Sequence, residues 1–264
     1  SGTEDPALNL NCVLPWGAQL GEAPVWHQEA RRLYWVDILH PAVYRFDPQT
    51  GVNEVCNTGK LVSAVIPATD GAMLVASQDG LEWLDFERQQ MRPFVHPEAE
   101  IRENRLNDAK VGPGGAIWVG SMRMDASRPT GSLYRVTRDG EAARLETGLT
   151  VSNGLGWSPD GRIFYFVDTV PGVIYAYDAN PGEGNLENRR VFARIAEDDG
   201  RPDGLTVDSE GYVWCAIWDG WRINRYRPDG KLDRTIDLPV PRPTSVTFGG
   251  DDLATLFITT ARTR

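Results

Sequence analysis

The sequence predicts an all-β fold, a six-bladed β-propeller with four-stranded blades. A ten-residue pattern, followed by a strand rich in large apolar residues, occurs six times along the 264 residues. The copies are 41 to 50 residues apart, close to the period of about 40–45 residues that is typical of a propeller blade. No stretch shows the period of about 3.6 residues that indicates an amphipathic helix, which disfavours a parallel α/β fold. We expect residues 1–264 to form a single propeller domain.

Each copy of the repeat begins with a polar residue, termed position 0, has an apolar residue at position +4 and usually has glycine at position +8. The clearest copy starts at Asn153, continues through Trp157 and reaches Gly161 in a Ser-Pro-Asp-Gly sequence that favours a tight turn. Position 0 of the six copies is occupied by Glu22, Ser63, Asn107, Asn153, Asp203 and Thr244. Successive positions are 41, 44, 46, 50 and 41 residues apart.

The elements of each blade follow from this pattern. The innermost strand starts at position 0, and the second strand follows the turn at position +8. Second strands are expected at residues 33–37, 73–77, 117–121, 163–168, 213–216 and 256–259. Third strands are expected in four copies, at residues 44–47, 134–136, 174–177 and 223–226.

The last blade is predicted to be short, because only about twenty residues follow Thr244. These residues suffice for two strands. Residues 8–16 alternate in polarity and are expected to add one outer strand, so that both ends of the chain share one blade. One strand is still missing, and we therefore expect either a chain truncated at Arg264 or an incomplete last blade.

Charge and cysteine content restrict the function. The net charge of −10 disfavours nucleic-acid binding through a basic surface and attraction to an anionic membrane. Cys12, Cys56 and Cys215 form no close pair, so neither a disulfide framework nor a zinc knuckle is indicated. No apolar run reaches membrane-spanning length. We expect a cytoplasmic protein, monomeric or homodimeric, with no nucleic-acid or membrane partner.

The six position-0 side chains should ring one mouth of the central channel, since the innermost strand of each blade lines it. None of them is apolar, and Glu22 and Asp203 are acids. Waters could plug this mouth and solvate the acids. Alternatively, Glu22, Asn153 and Asp203 could bind a hard cation such as Ca²⁺, Mg²⁺ or Mn²⁺ through oxygen atoms. The residues alone leave both interpretations open.

Four stretches resemble the senescence-marker-protein/gluconolactonase family of six-bladed propellers, which includes the regucalcins. They are LGEAPVW at residues 20–26, RLNDAKV at 105–111, SNGLGWSPDG at 152–161 and PDGLTVD at 202–208. The resemblance implies a metal-dependent lactonase that hydrolyses a sugar lactone, such as a gluconolactone-like aldonolactone, to the aldonic acid. It also implies one divalent cation, with calcium the first candidate and manganese, magnesium, zinc and iron as alternatives.

The same resemblance assigns the site residues. It implies Glu22, Asn153 and Asp203 as metal ligands, and Arg105, Asn107 and Asp125 as substrate contacts. Arg105 and Asn107 are two residues apart, so on a strand their side chains point the same way. Asp203 is expected to act as the general base, with hydroxide held by the cation as the alternative.

Two other functions remain open at this point. One is a propeller phosphotriesterase of the diisopropylfluorophosphatase type, and the other is a non-catalytic calcium-binding propeller. A pocket for a neutral phosphotriester gains little from Arg105, whereas a polyhydroxy lactone gains a hydrogen-bond donor. The sequence contains no Gly-x-Ser-x-Gly motif, so a serine-hydrolase triad is not supported.

Overall fold

The computed structural model describes residues 8–68 and 71–262. Its strands form five four-stranded antiparallel sheets and one two-stranded sheet, numbered 1–6 in chain order. Sheet 1 comprises β1 Gly21–His27, β2 Arg32–Asp37, β3 Ala42–Phe46 and β4 Asn53–Asn57. Sheet 2 comprises β5 Val62–Pro67, β6 Met73–Ser77, β7 Gly80–Asp85 and β8 Gln90–Val95. Sheet 3 comprises β9 Asn104–Val111, β10 Ile117–Arg123, β11 Gly131–Val136 and β12 Ala142–Leu149. Sheet 4 comprises β13 Ser152–Trp157, β14 Ile163–Asp168, β15 Val173–Ala179 and β16 Leu186–Arg194. Sheet 5 comprises β17 Arg201–Val207, β18 Val213–Trp218, β19 Arg222–Tyr226 and β20 Leu232–Asp237. Sheet 6 comprises β21 Pro243–Gly249 and β22 Thr255–Thr260.

The first strand of each sheet contacts the first strand of the next, and these contacts close a ring. β1 contacts β5, the series continues through β9, β13 and β17 to β21, and β21 returns to β1. A bridge between Leu20 and Ala261 and a hydrogen bond from Thr244 Oγ1 to the Gly21 carbonyl join the two ends of the series. The predicted all-β propeller is therefore confirmed, with the predicted inner, second and third strands in place.

Aromatic rings pack between neighbouring sheets. Trp118 of sheet 3 lies 4.9 Å from Phe164 of sheet 4 between ring centroids, and Trp26 of sheet 1 stacks on Phe257 of sheet 6 at 5.7 Å. Each such pair contributes about 0.5–1.5 kcal/mol beyond the area that it buries. These rings hold the sheets at fixed separations around the channel.

The predicted outer strand at residues 8–16 is wrong, because this segment is not hydrogen-bonded into a sheet. Leu14 packs beside the apolar cluster of sheet 1, and the Trp16 ring meets the Tyr44 ring edge-on at 5.4 Å. A groove of about 370 Å³ separates the segment from β22. Leu8, Leu10 and Val13 of the segment stay exposed. Sheet 6 therefore has two strands within the described part of the chain. The predicted truncation at Arg264 lies outside the described residues.

Helical structure is limited, across residues 8–68 and 71–262, to one short 3-10 turn at Glu197–Asp199. Turns of two to five residues join most strands in these ranges. No helix in these two ranges is long and apolar enough to cross a lipid bilayer.

Candidate functional site

Each inner strand carries a β-bulge at position 0 or, in sheet 1, directly after it. At this point the inner strand has one residue more than the second strand between two paired positions. The same irregularity occurs in all six sheets. The interrupted pairings lie between Glu22 and Val25, Val62 and Ala64, Leu106 and Ala109, Ser152 and Leu155, Pro202 and Leu205, and Pro243 and Ser245. A bulge bends the strand and turns a side chain out of the normal alternation. The position-0 side chains are thereby directed towards the channel.

Glycine after position 0 lets sheets 4 and 5 approach closely. A Cβ atom on Gly154 would lie 2.5 Å from the Leu205 nitrogen and 2.7 Å from the Asp203 oxygen, and both are backbone atoms. A Cβ atom on Gly204 would likewise clash with the hydroxyl group of Ser245 on sheet 6. The absence of a side chain at Gly154 brings the segments carrying Asn153 and Asp203 together.

Two position-0 residues tie neighbouring sheets together. Ser63 Oγ donates to the backbone carbonyls of Leu106 at 3.0 Å and Asn107 at 2.8 Å. Thr244 Oγ1 bonds the Gly21 carbonyl and pairs with the Thr259 hydroxyl at 2.7 Å. Their hydroxyl groups are used in these contacts, which assigns them a structural role.

Glu22 and Asp203 place two carboxyl groups in contact at the channel mouth. They are 7 % and 5 % exposed. Burial raises the pKa of both groups well above the usual range, and the charge of Asp203 raises the pKa of Glu22 further. Glu22 accepts a hydrogen bond from the Ala23 amide at 2.9 Å, whereas Asp203 Oδ1 is buried without a hydrogen-bond partner. This pair favours either a retained proton or a bound cation.

Asn153 lies in a chain of hydrogen bonds that runs from Asn107 to the backbone next to Asp203. Its Nδ2 donates to Thr169 Oγ1 at 2.8 Å, and that hydroxyl donates to the Pro202 carbonyl at 2.8 Å, next to Asp203. Its Oδ1 accepts from Asn107 Nδ2 at 3.2 Å. A carbonyl-type oxygen has two lone pairs, so Asn153 Oδ1 retains one for a further ligand.

Arg105 lies beside this group and is held by Asn107. Its Nη1 donates to Asn107 Oδ1 at 2.8 Å and to the Leu106 carbonyl at 3.0 Å. Burial lowers the pKa of Arg105 to about 10, while the charge of Glu22 opposes that change. The guanidinium stays positive at neutral pH and provides further donors that can reach a molecule at the mouth.

These residues fit a divalent cation. Two buried carboxyl groups lie in contact, and Asn153 lies on the inner strand next to that of Asp203. Carboxylate and amide oxygens are the hard donors that Ca²⁺, Mg²⁺ and Mn²⁺ prefer. The unpartnered Asp203 Oδ1 is the atom that most requires a ligand. No cluster of three His, Cys, Asp or Glu side chains with metal-binding geometry occurs within residues 8–68 and 71–262, so the amide oxygen of Asn153 is needed to complete a protein set of three.

Asp125 lies apart from these contacts, in the loop between β10 and β11. Arg123 pairs with Asn104 at the start of β9, so the loop belongs to the same face of the ring as Arg105. The Asp125 side chain is 59 % exposed and accepts hydrogen bonds from Arg123 Nε at 3.0 Å and Ser127 Oγ at 2.7 Å. Its role as a substrate contact stays a prediction.

Two charged residues near the site were missed from the sequence. Asp108 is 5 % exposed, and its charge acts on both Glu22 and Asp203. Lys110 lies two residues further along β9. The sequence does distinguish Asp108, because position +1 is a small residue in each of the other five repeats: Ala23, Ala64, Gly154, Gly204 and Ser245.

Comparisons with known proteins identify the family of the chain. Residues 20–262 match the family described as SMP-30/Gluconolactonase/LRE-like region. The chain is 35% identical to a pentonolactonase from Haloferax volcanii, over 96% of this chain and 86% of the relative. It is 37% identical to a 6-deoxy-6-sulfogluconolactonase from Pseudomonas putida, over 96% and 87%. The crystal structure of a regucalcin from Agrobacterium tumefaciens, described as a calcium-binding protein, superposes with a TM-score of 0.91 at 28% identity, over 96% of this chain and 85% of that one.

Proposed function

The chain belongs to the SMP-30/gluconolactonase/LRE-like family, and we propose that it is a metal-dependent lactonase that hydrolyses a sugar lactone to the aldonic acid. Its relatives in Haloferax and Pseudomonas are named as a pentonolactonase and a 6-deoxy-6-sulfogluconolactonase, and these names support a sugar lactone as the substrate class. We count the two-stranded sheet as the sixth blade of a single propeller domain. The partner is a small-molecule lactone, and the protein acts as a monomer or homodimer.

One observation carries the proposal, namely the unpartnered Asp203 Oδ1 beside a second buried carboxyl group, that of Glu22. Glu22, Asn153 and Asp203 would hold the cation. Calcium is the first candidate, since a regucalcin of the same fold is described as calcium-binding, and manganese, magnesium, zinc and iron are alternatives. A bound divalent cation would polarise the lactone carbonyl and make a bound water more acidic.

Arg105, Asn107 and Asp125 bind the substrate in this proposal. The Arg105 guanidinium donates hydrogen bonds to hydroxyl oxygens of the sugar, and Asn107 fixes its position through the 2.8 Å contact. Asp125 accepts hydrogen bonds from a part of the substrate that projects towards the β10–β11 loop. These groups orient the lactone when it binds. The loss of translational and rotational entropy therefore occurs on binding and does not add to the barrier of the chemical step.

Asp203 acts as the general base. Water attacks the lactone carbonyl carbon, and Asp203 accepts the proton of that water. The ring C–O bond then breaks, and the alkoxide oxygen takes from Asp203 the proton that Asp203 had accepted. The carboxylic acid of the product ionises, which releases one proton per lactone hydrolysed. Burial raises the pKa of Asp203, which makes it a stronger base than an exposed carboxylate, although a bound cation reduces this effect.

The released proton allows a direct assay. Metal-stripped protein is titrated at constant pH with glucono-, xylono-, galactono- and arabinonolactone, and Ca²⁺, Mn²⁺, Mg²⁺, Zn²⁺ or Fe²⁺ is then added back. We expect hydrolysis that depends on the added cation. Asp203→Asn should abolish turnover while it retains part of the cation affinity. Absence of hydrolysis of every lactone with every cation would refute the proposed function.

The same assay separates the two alternative functions. A phosphotriesterase would release acid from a neutral phosphotriester and leave lactones intact. A non-catalytic calcium-binding propeller would bind Ca²⁺ with no turnover, and Glu22→Gln would then change its stability alone. The partly buried Arg105 favours the lactone, because a neutral phosphotriester offers no polyhydroxy surface for the guanidinium.

A further inference from the structure

The third repeat differs from the others by two charged residues on β9, the buried Asp108 and the partly buried Lys110. Asp108 occupies position +1 and Lys110 position +3. Position +3 of the other copies is apolar, glycine or threonine: Val25, Ile66, Gly156, Thr206 and Thr247. Burying a carboxylate and an ammonium group costs free energy unless each is paired or hydrogen-bonded. This pair therefore calls for a physical reason.

Lys110 crosses the channel. Its Nζ donates to the backbone carbonyl of Leu205 on β17, 95 residues away in sequence. β9 and β17 belong to sheets 3 and 5, which sheet 4 separates in the ring. Leu205 lies two residues after Asp203, so Lys110 lies close to the strand that carries one proposed cation ligand.

Asp108 lies in the bulge of β9 next to Asn107, and the Ala109 amide donates to its Oδ1 at 2.8 Å. Asp108 is 5 % exposed, and Nδ2 of the preceding residue Asn107 donates to Oδ1 of the proposed ligand Asn153 at 3.2 Å, so the Asp108 charge lies beside the candidate cation site. This charge also raises the pKa of Glu22 and Asp203. The opposite charge of Lys110 compensates Asp108 itself. The channel thus holds three acids and two bases, Arg105 and Lys110, which leaves one excess negative charge when all are ionised.

We propose that Asp108 is a third charged determinant of cation binding, which strengthens the affinity of the Glu22–Asn153–Asp203 site without serving as one of its ligands, and that Lys110 limits this effect by neutralising Asp108. The inference rests on the proposed function. It makes two charge changes act in opposite directions. Loss of the Asp108 charge weakens cation binding, and loss of the Lys110 charge leaves Asp108 uncompensated and strengthens it.

The test is calorimetric titration of metal-stripped protein with Mn²⁺. Asp108→Asn keeps the size of the side chain and should raise the Kd about tenfold, the lower end of the range for residues that surround metal ligands. Lys110→Met keeps the length of the side chain and should lower the Kd several-fold. Thermal unfolding without metal is measured in parallel, and both variants are titrated well below their midpoints.

The chain contains a matched control pair. Asp229 and Lys231 have the same residue types at the same spacing, lie 4.0 Å apart, and are exposed in the turn between β19 and β20. Asp229→Asn and Lys231→Met should leave the Kd for Mn²⁺ unchanged. Equal weakening of Mn²⁺ binding by Asp108→Asn and Lys110→Met would assign the effect to loosened packing and overturn the inference, as would wild-type affinity in Asp108→Asn.

The two proposals fail in distinguishable ways. Wild-type protein that binds Mn²⁺ and hydrolyses a lactone, with Asp108→Asn unchanged in affinity, would remove this inference and leave the proposed function. Wild-type protein that binds no divalent cation and hydrolyses no lactone would remove both. If Lys110→Met does not fold, Asp108→Asn alone decides, since its expected loss of affinity is then the measured quantity.

Discussion

A methyl group added at Gly154 tests how the site is assembled. The new Cβ atom would lie 2.5 Å from the Leu205 nitrogen, whereas ordinary contact begins at about 3.4 Å. The backbone of β17 would have to retreat by about 0.9 Å, and no side-chain rotation can relieve a contact between backbone atoms. Because Asp203 lies on the same segment, the retreat would also separate it from Asn153.

The expected cost follows from this displacement. Overpacking of a close-packed interior costs about 1–3 kcal/mol. A loss of about 2 kcal/mol would lower the thermal midpoint by about 4–8 °C in a domain of this size. The affinity for Mn²⁺ should fall about tenfold, because ligands are displaced from one another.

Gly156→Ala is the matched control, since it lies two residues further along β13. Its Cβ atom would meet side-chain carbons of Leu205 at 3.0 Å and Val207 at 3.1 Å, and these can rotate away. We expect a change in the free energy of unfolding below about 1 kcal/mol and unaltered Mn²⁺ affinity. Thermal unfolding followed by circular dichroism and calorimetric Mn²⁺ titration measure both quantities. Equal midpoints and equal affinities for the two variants would refute the reasoning.

Three further predictions follow from the site. In metal-free protein, burial raises the pKa of Glu22 and Asp203, so stability is full below their ordinary pKa of about 4 and is lost as pH rises through the raised values. Glu22→Gln should therefore raise the metal-free thermal midpoint at pH 8 and not at pH 4, and equal gains at both pH values would contradict this sign. Arg105→Met should raise KM about tenfold with a smaller change in kcat, because the guanidinium binds ground and transition states alike; a loss confined to kcat would argue against substrate binding. Asp125→Asn should raise KM a few-fold, and an unchanged KM would remove Asp125 from the substrate contacts.

Much of the fold was predictable because position 0 and the turn glycines obey local rules. Asn153 and Asp203 could be placed at one channel mouth from spacing alone, since each begins an inner strand. The false strand at residues 8–16 arose because alternating polarity reports one buried face and says nothing about a hydrogen-bonding neighbour. Here Trp16 meets the Tyr44 ring edge-on and remains 47 % exposed, and residues 8–16 form no strand.

The site was less predictable where single copies depart from the repeat. Asp108 was missed because the repeat was compared at positions 0, +4 and +8, whereas its difference lies at position +1. The cross-channel contact of Lys110 could not be read from sequence, since it joins strands of sheets that are not neighbours. The interaction between these charges can be recognised only from the folded structure.

The ring has one closure unlike the rest. Five inter-sheet contacts join inner strands whose starting residues are 41 to 50 positions apart, whereas the contact between Thr244 and Gly21 spans 223 positions. Such a non-local contact forms late in folding and is the place where the ring would open first. Glu22 belongs to sheet 1 at this seam, and its proposed co-ligands belong to sheets 4 and 5 on the far side. A cation bound by all three would therefore fasten the ring across its diameter, and slower hydrogen exchange along β1 would report it.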